Sequence, residues 1–156
     1  MVELLPLLER VGRASGKQFV VDRRLGSRIY LGTVDEDDVT YPALLSILFV
    51  NGFAAFESEG LVKVVPDATM RFFETRIVQT DDPAVLGDEF VTRVLTTTNI
   101  QAAQLVPILR PLMPQAAHLA AHSDSNQLIL MDRYANIQRI TAIVRALDVP
   151  PRNRGP

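Results

Sequence analysis

Cysteine is absent from all 156 residues, which excludes a disulfide framework, a thiol nucleophile and any thiolate-held metal. Tryptophan is absent too and aromatic residues make up only 6%, so a core must be built mainly from aliphatic side chains. No apolar run approaches the roughly 20 residues that a bilayer-spanning helix needs. A basic excess is also missing: 16 Lys and Arg stand against 18 Asp and Glu, a net charge of −2. A phosphate-backbone binder carries the opposite balance, so nucleic acid is not expected as a partner. The opening MVELLPLLERVG has no basic leader and no small-residue cleavage site, and it carries Glu3 and Glu9. It reads as an amphipathic helix and not as a secretory signal. If the parent protein is exported or membrane-inserted, this chain is expected to be a fragment of it.

What is present is enough for a folded protein. Apolar residues reach 47%, and the length suits one ordinary domain or two very small ones. The first half predicts a helix to about Ala14, strands Gln18–Asp22 and Arg28–Leu31, a helix Pro42–Asn51, and strands Phe53–Ser58 and Leu61–Pro66. Ser15-Gly16 and Asn51-Gly52 offer helix ends, Thr40 an N-cap with Pro42 in the first turn, and Glu59-Gly60 a hairpin turn. Residues 67–88 are mixed. TMRFFETRIV could add a strand, whereas QTDDPAVLGD is acidic and turn-rich and looks like a connection.

Beyond that connection, Phe90–Leu95 predicts a strand. A helix from about Gln101 follows, bent by Pro107 and ended by Pro111 and Pro114. His118–Ala121 and Gln127–Met131 read as a hairpin around Ser123-Asp124-Ser125-Asn126. Asp132 is a candidate cap for a last helix, in which Ile137, Ile140, Thr141, Val144 and Leu147 recur at helical spacing. The two halves share an order of helix, strand, strand, helix without a detectable sequence repeat.

Few residues suggest chemistry. His118 and His122 are the only histidines; in a strand their spacing is roughly 13 Å, too far for joint ligation. The neighbouring Ser123 and Asp124 complete a triad by composition only, and a triad is defined by converging geometry. Asp35-Glu36-Asp37-Asp38 lacks the alternating ligands and turn glycine of a calcium loop and reads as a solvated helix start. Arg23, Arg24 and Arg28 form a small basic patch. Residues 90–147 share the element order of KH domains, but those clamp nucleic acid with a GXXG loop, and this chain has no glycine between Asp88 and Arg154. No catalytic, cofactor or metal site is therefore expected.

The segment FVTRVLTTTNIQAAQLVPILRPLMPQAAHLAAHSDSNQLILMDRYANIQRI resembles the repeated periplasmic N domains of bacterial secretins, the outer-membrane channel proteins (protein D) of type II secretion. GKQFVVDRRL at 16–25 and LLSILFVNGFAAFESEGLVKVVPDA at 44–68 resemble their membrane-distal first domain, so the likeness covers nearly the whole chain. It implies an α+β protein of two small domains: 1–69 similar to the signalling domain of TonB-dependent receptors, a linker 70–88, a KH-like βαββα module at 89–150, and a tail 151–156. It also implies a non-enzymatic role in the periplasmic vestibule of an outer-membrane channel. The partners it implies are other secretin subunits in a homo-oligomeric ring, the inner-membrane linker protein (protein C), and secreted exoproteins. A TonB-dependent receptor signalling domain, or a secretin of a type IV pilus or related system, is the alternative; an RNA-binding protein and a small enzyme rank lower.

Relatives begin the first domain with a strand before the first helix, and this chain is expected to lack it. The strand at Arg28–Leu31 would then show an unpaired edge, either filled by a strand swapped or added from another molecule or left by a truncation. On that basis the expected partner contact is the edge Ser27, Arg28, Ile29, Tyr30 and Leu31, with Arg24 at its rim.

Overall fold

In the computed structural model, which describes residues 1–152 and 155, the chain forms two mixed α+β domains. The first begins with a short strand, β1 (Val2–Glu3), followed by helix α1 (Leu4–Ser15). Leu4, Leu7, Leu8 and Val11 make its buried stripe, the spacing of one helical face. Strands β2 (Phe19–Val21) and β3 (Arg28–Ile29) precede helix α2 (Tyr41–Val50), and the hairpin β4 (Phe53–Ser58) and β5 (Leu61–Pro66) closes the domain. Thr40 caps α2 by accepting from the Ala43 N–H, and Pro42 sits in the first turn, where a missing N–H costs little. Glu59 and Gly60 both take positive φ in the hairpin turn, as a tight two-residue turn between twisted strands requires.

The sheet order is β2-β5-β4, with β2 parallel and β4 antiparallel to the central β5. Side chains alternate across it. Ala55, Val62 and Val64 face α1 and α2, whereas Ala54, Phe56 and Val65 face the other way.

β1 overturns one expectation. The leading strand is present, and it pairs antiparallel with β3 in the register Val2 to Ile29 and Glu3 to Arg28. The chain therefore does not lack its first strand, and β3 does not wait for a swapped one. The strand expected over Arg28–Leu31 shortens to Arg28–Ile29.

The second domain contains β6 (Phe90–Thr96), α3 (Ala102–Leu109), β7 (His118–His122), β8 (Gln127–Arg133) and α4 (Tyr134–Leu147), with β8 central and antiparallel to both neighbours. Pro107 lies inside α3, and a 3-10 turn over Arg110–Leu112 carrying Pro111 follows it. Arg133, not Asp132, is the N-cap residue of α4. Asp132 still helps the helix start, accepting from the Arg133 N–H at 2.7 Å and the Asn136 side chain at 2.6 Å.

TMRFFETRIV does not form the strand it could have added. Asp67–Phe72 winds into a 3-10 helix, and only Ile77 makes a β-bridge, parallel to Thr92. Met70 and Phe73 from this stretch join Ala54, Phe56, Val65, Phe90 and Met131 in a third core between the domains. The connecting segment, mixed in its sequence, is thus packed along much of its length, with Val78 and Val85 in the core of the second domain. The tail 151–156 falls partly outside the described residues, at Asn153, Arg154 and Pro156.

A candidate docking surface on the first domain

The six residues singled out in the sequence sit around the β1–β3 ribbon and divide by burial. Ile29 and Leu31 belong to the core of the first domain, so their side chains cannot meet a partner. Tyr30 between them is 64% exposed. Arg28 lies across from Glu3 at 3.1 Å, both well exposed, and the Ser27 carbonyl accepts from the Leu4 N–H at 2.7 Å. Arg24 points back to Asp22, donating from Nε at 2.9 Å and from its second guanidinium nitrogen at 2.6 Å. That guanidinium, with the Arg24 N–H, holds the Asp22 carboxyl down at about 2.

The outer edge of this ribbon is not free. Asn51, just past the end of α2, places its carboxamide against the main chain of Tyr30: Oδ1 accepts from the Tyr30 N–H at 3.0 Å and Nδ2 donates to the Tyr30 carbonyl at 2.9 Å. The side chain imitates a strand peptide, and a docking strand would have to displace it. In the sequence, Asn51 signalled only a helix end; nothing there joins it to a position 21 residues away.

The acidic run is also engaged. Asp35 accepts from the Asp37 N–H at 3.0 Å, and Arg10 of α1 reaches Glu36 at 2.5 Å and Asp37 at 2.7 Å. It serves to tie a loop to α1. His118 and His122 lie on β7, with His122 Nδ1 2.7 Å from the Ser125 hydroxyl, a contact internal to the hairpin turn. No group of three or more His, Asp or Glu among the described residues is placed to hold a metal ion. No helix among them is long and apolar enough to cross a membrane.

Two arginines that the sequence reading passed over hold the molecule together. Arg93 on β6 is 1% exposed; it donates to the Val78 carbonyl at 2.7 Å, the Thr141 hydroxyl at 3.1 Å and Asp81 at 3.0 Å. It thereby pins the connecting segment to the second domain. Arg133 lays its guanidinium 3.3 Å from the ring centre of Phe49, on α2 of the other domain, a stacked cation–π contact across the junction. Alternation along FVTRVLT hints that Arg93 shares a face with Val91, but an arginine on an apolar face reads as a break in the pattern until its acceptors are known.

Comparison with known proteins matches the two halves of the chain to different families. Residues 2–64 match the family described as "GspD-like, N0 domain", and residues 92–153 match Secretin_N, the "Bacterial type II/III secretion system short domain". Secretin XcpQ of Pseudomonas aeruginosa is 28% identical over 148 residues, which cover 94% of this chain and 22% of that protein. Secretin ExeD of Aeromonas hydrophila is 29% identical over 146 residues, covering 90% of this chain and 21% of that protein. The chain thus spans about a fifth of the length of the curated relatives it matches. Among solved structures, the Klebsiella pneumoniae type II secretion system outer membrane complex, with PulD, PulS and the PulC HR domain, matches with a TM-score of 0.71. Identity there is 30%, and the match covers 94% of this chain and 26% of that chain. Two families in this order, on two α+β domains that superpose on a secretin assembly, lead to one assignment: the chain belongs to the secretins of type II secretion, as a stretch of their N-terminal domains.

Proposed function

We propose that this chain forms part of the periplasmic vestibule of an outer-membrane secretin channel. There, copies would assemble into a ring, dock on the periplasmic part of the inner-membrane linker protein (protein C), and surround the path of secreted exoproteins. The observation that carries this reading is the 0.71 TM-score over 94% of the chain to the complex of PulD, PulS and the PulC HR domain. In this reading 1–69 is the first periplasmic N domain, akin to receptor signalling domains. Residues 70–88 connect it to a KH-like second N domain at 89–150, and 151–156 is a tail. The order of β6, α3, β7, β8 and α4 supports the KH-like description. Arg28 and Tyr30, with Glu3 across from them, are exposed side chains of the β1–β3 ribbon that a docking partner can reach; Ser27 is exposed beside them with its carbonyl bonded to the Leu4 N–H, and Arg24 is tied to Asp22. The function is one of assembly and docking, and no catalytic step is proposed.

The test is a titration of the isotopically labelled chain with the periplasmic homology region of the cognate linker protein. Amide shifts confined to residues 1–69 are expected. Shifts restricted to the second domain, or none at millimolar partner, would overturn docking through the first domain.

A further inference from the structure

Docking through the first domain, on which this inference rests, needs a place where a partner can gain main-chain hydrogen bonds. β2 provides one. It is the outer strand of its sheet, parallel to β5. The Val62 N–H donates to the Gln18 carbonyl at 2.8 Å and the Asp22 N–H to the Val64 carbonyl at 2.9 Å. The even-numbered residues of β2 therefore turn their peptide groups towards β5, and Phe19 and Val21 turn theirs outward. Neither has a main-chain partner among the described residues.

Beside this edge runs a groove of about 790 Å³ lined by Leu5, Leu8 and Gly12 of α1 and by Phe19 and Val21 of β2. Leu5 is 61% exposed and Val20 48%. Edges of this kind are normally blunted by proline, charge or a covering segment, and β2, with the sequence FVV, has none of these within it.

The charges around the groove indicate the occupant. Arg13, at the end of α1, is 84% exposed and has only Glu9 at 3.8 Å. Arg23, just past β2, has no ion pair among the described residues. A second copy of this chain brings no matching carboxylates: antiparallel pairing of two β2 strands about Val20 would set Lys17, already paired with Glu57, against Arg23 twice and leave Arg23 unanswered.

We propose that β2 accepts an extended segment of a partner protein as a fourth strand. Alternate apolar side chains of that segment would lie in the groove against Leu5 and Phe19, and carboxylates at its ends would meet Arg13 and Arg23.

The probe is a synthetic peptide of alternating valine and threonine with aspartate at both ends, titrated into the isotopically labelled chain. The amides of Phe19 and Val21 should shift and exchange more slowly with solvent. Leu5→Lys should weaken binding about tenfold or more, as loss of an interface anchor does. Val21→Pro removes an outward N–H and spares the bonds to β5, so it should abolish binding with the spectrum otherwise unchanged. Arg23→Glu should weaken binding of the aspartate peptide and favour a version ending in lysines. The proposal is overturned by peptide shifts centred on Tyr30 and Asn51, by β2 signals that broaden with chain concentration in the absence of peptide, or by no shift at millimolar peptide. If the linker protein shifts first-domain amides away from β2, docking stands and this route to it falls.

Discussion

Asp22 illustrates how much a single side chain depends on its immediate partner. Its carboxyl sits at about 2 because Arg24 donates to it from the side chain and from the backbone. A carboxyl depressed in the folded state contributes stability that is fully present above the ordinary value of about 3.9 and is lost as pH falls towards the folded value. Glu74, held at about 2 chiefly by the Lys63 ammonium, acts in the same direction. So does Asp148, lowered by the N–H groups of Thr98, Asn99 and Ile100. Asp132 acts in the opposite direction, because burial raises it and its protonation on acidification relieves a desolvated charge. Arg24→Ala should move the Asp22 midpoint upward in a carboxyl NMR titration while leaving Asp148 where it is. At Arg93, the consequence is structural. Arg93→Met leaves the Val78 carbonyl and the Thr141 hydroxyl without their donor and should cost on the order of 3 kcal/mol in urea unfolding. The acid and basic residues involved were all visible in the sequence, but apart from Asp22 and Arg24, two residues apart, their pairings were not, because they join positions brought together only by folding.

Among the elements, α1 carries the sharpest constraint. A Cβ on Gly12 would stand 2.7 Å from the Lys17 carbonyl and 3.5 Å from the Phe19 ring. Helix propensity favours alanine over glycine by about 1 kcal/mol, but crowding against a fixed carbonyl costs about 1–3 kcal/mol. Gly12→Ala should therefore destabilise the first domain, and a higher midpoint in thermal unfolding would count against this close approach. The helices and the β4–β5 hairpin were legible because each has a local cause: a Thr40 cap, an apolar stripe, a turn at Glu59-Gly60. β1 was not, since two residues carry no periodicity and are a strand only because Arg28 and Ile29 lie beside them. Asn51 marks the limit for the docking surface. Its sequence context explains the end of α2 but not the closing of the edge at Tyr30.

At the scale of the whole molecule, the two domains share a core. Phe90 is fully buried with Met70 and Phe56 in the junction, and Arg133 stacks on Phe49 across it. Wild-type protein should unfold in one calorimetric transition. Phe90→Ala, which removes about 3 kcal/mol or more of packing, should separate it into two; a single sharp transition in that variant would show that the junction does not couple the domains. By itself the sequence determined that the chain is α+β, which segments are helices and hairpins, and that it resembles the N domains of secretins, because propensity, capping and side-chain periodicity act within a few residues of one another. Only the tertiary structure decided that the first strand is present, that the connecting segment is packed between domains, and that Asn51 closes one edge while β2 leaves another open. Those outcomes depend on which distant main-chain and charged groups meet, and no local pattern encodes that.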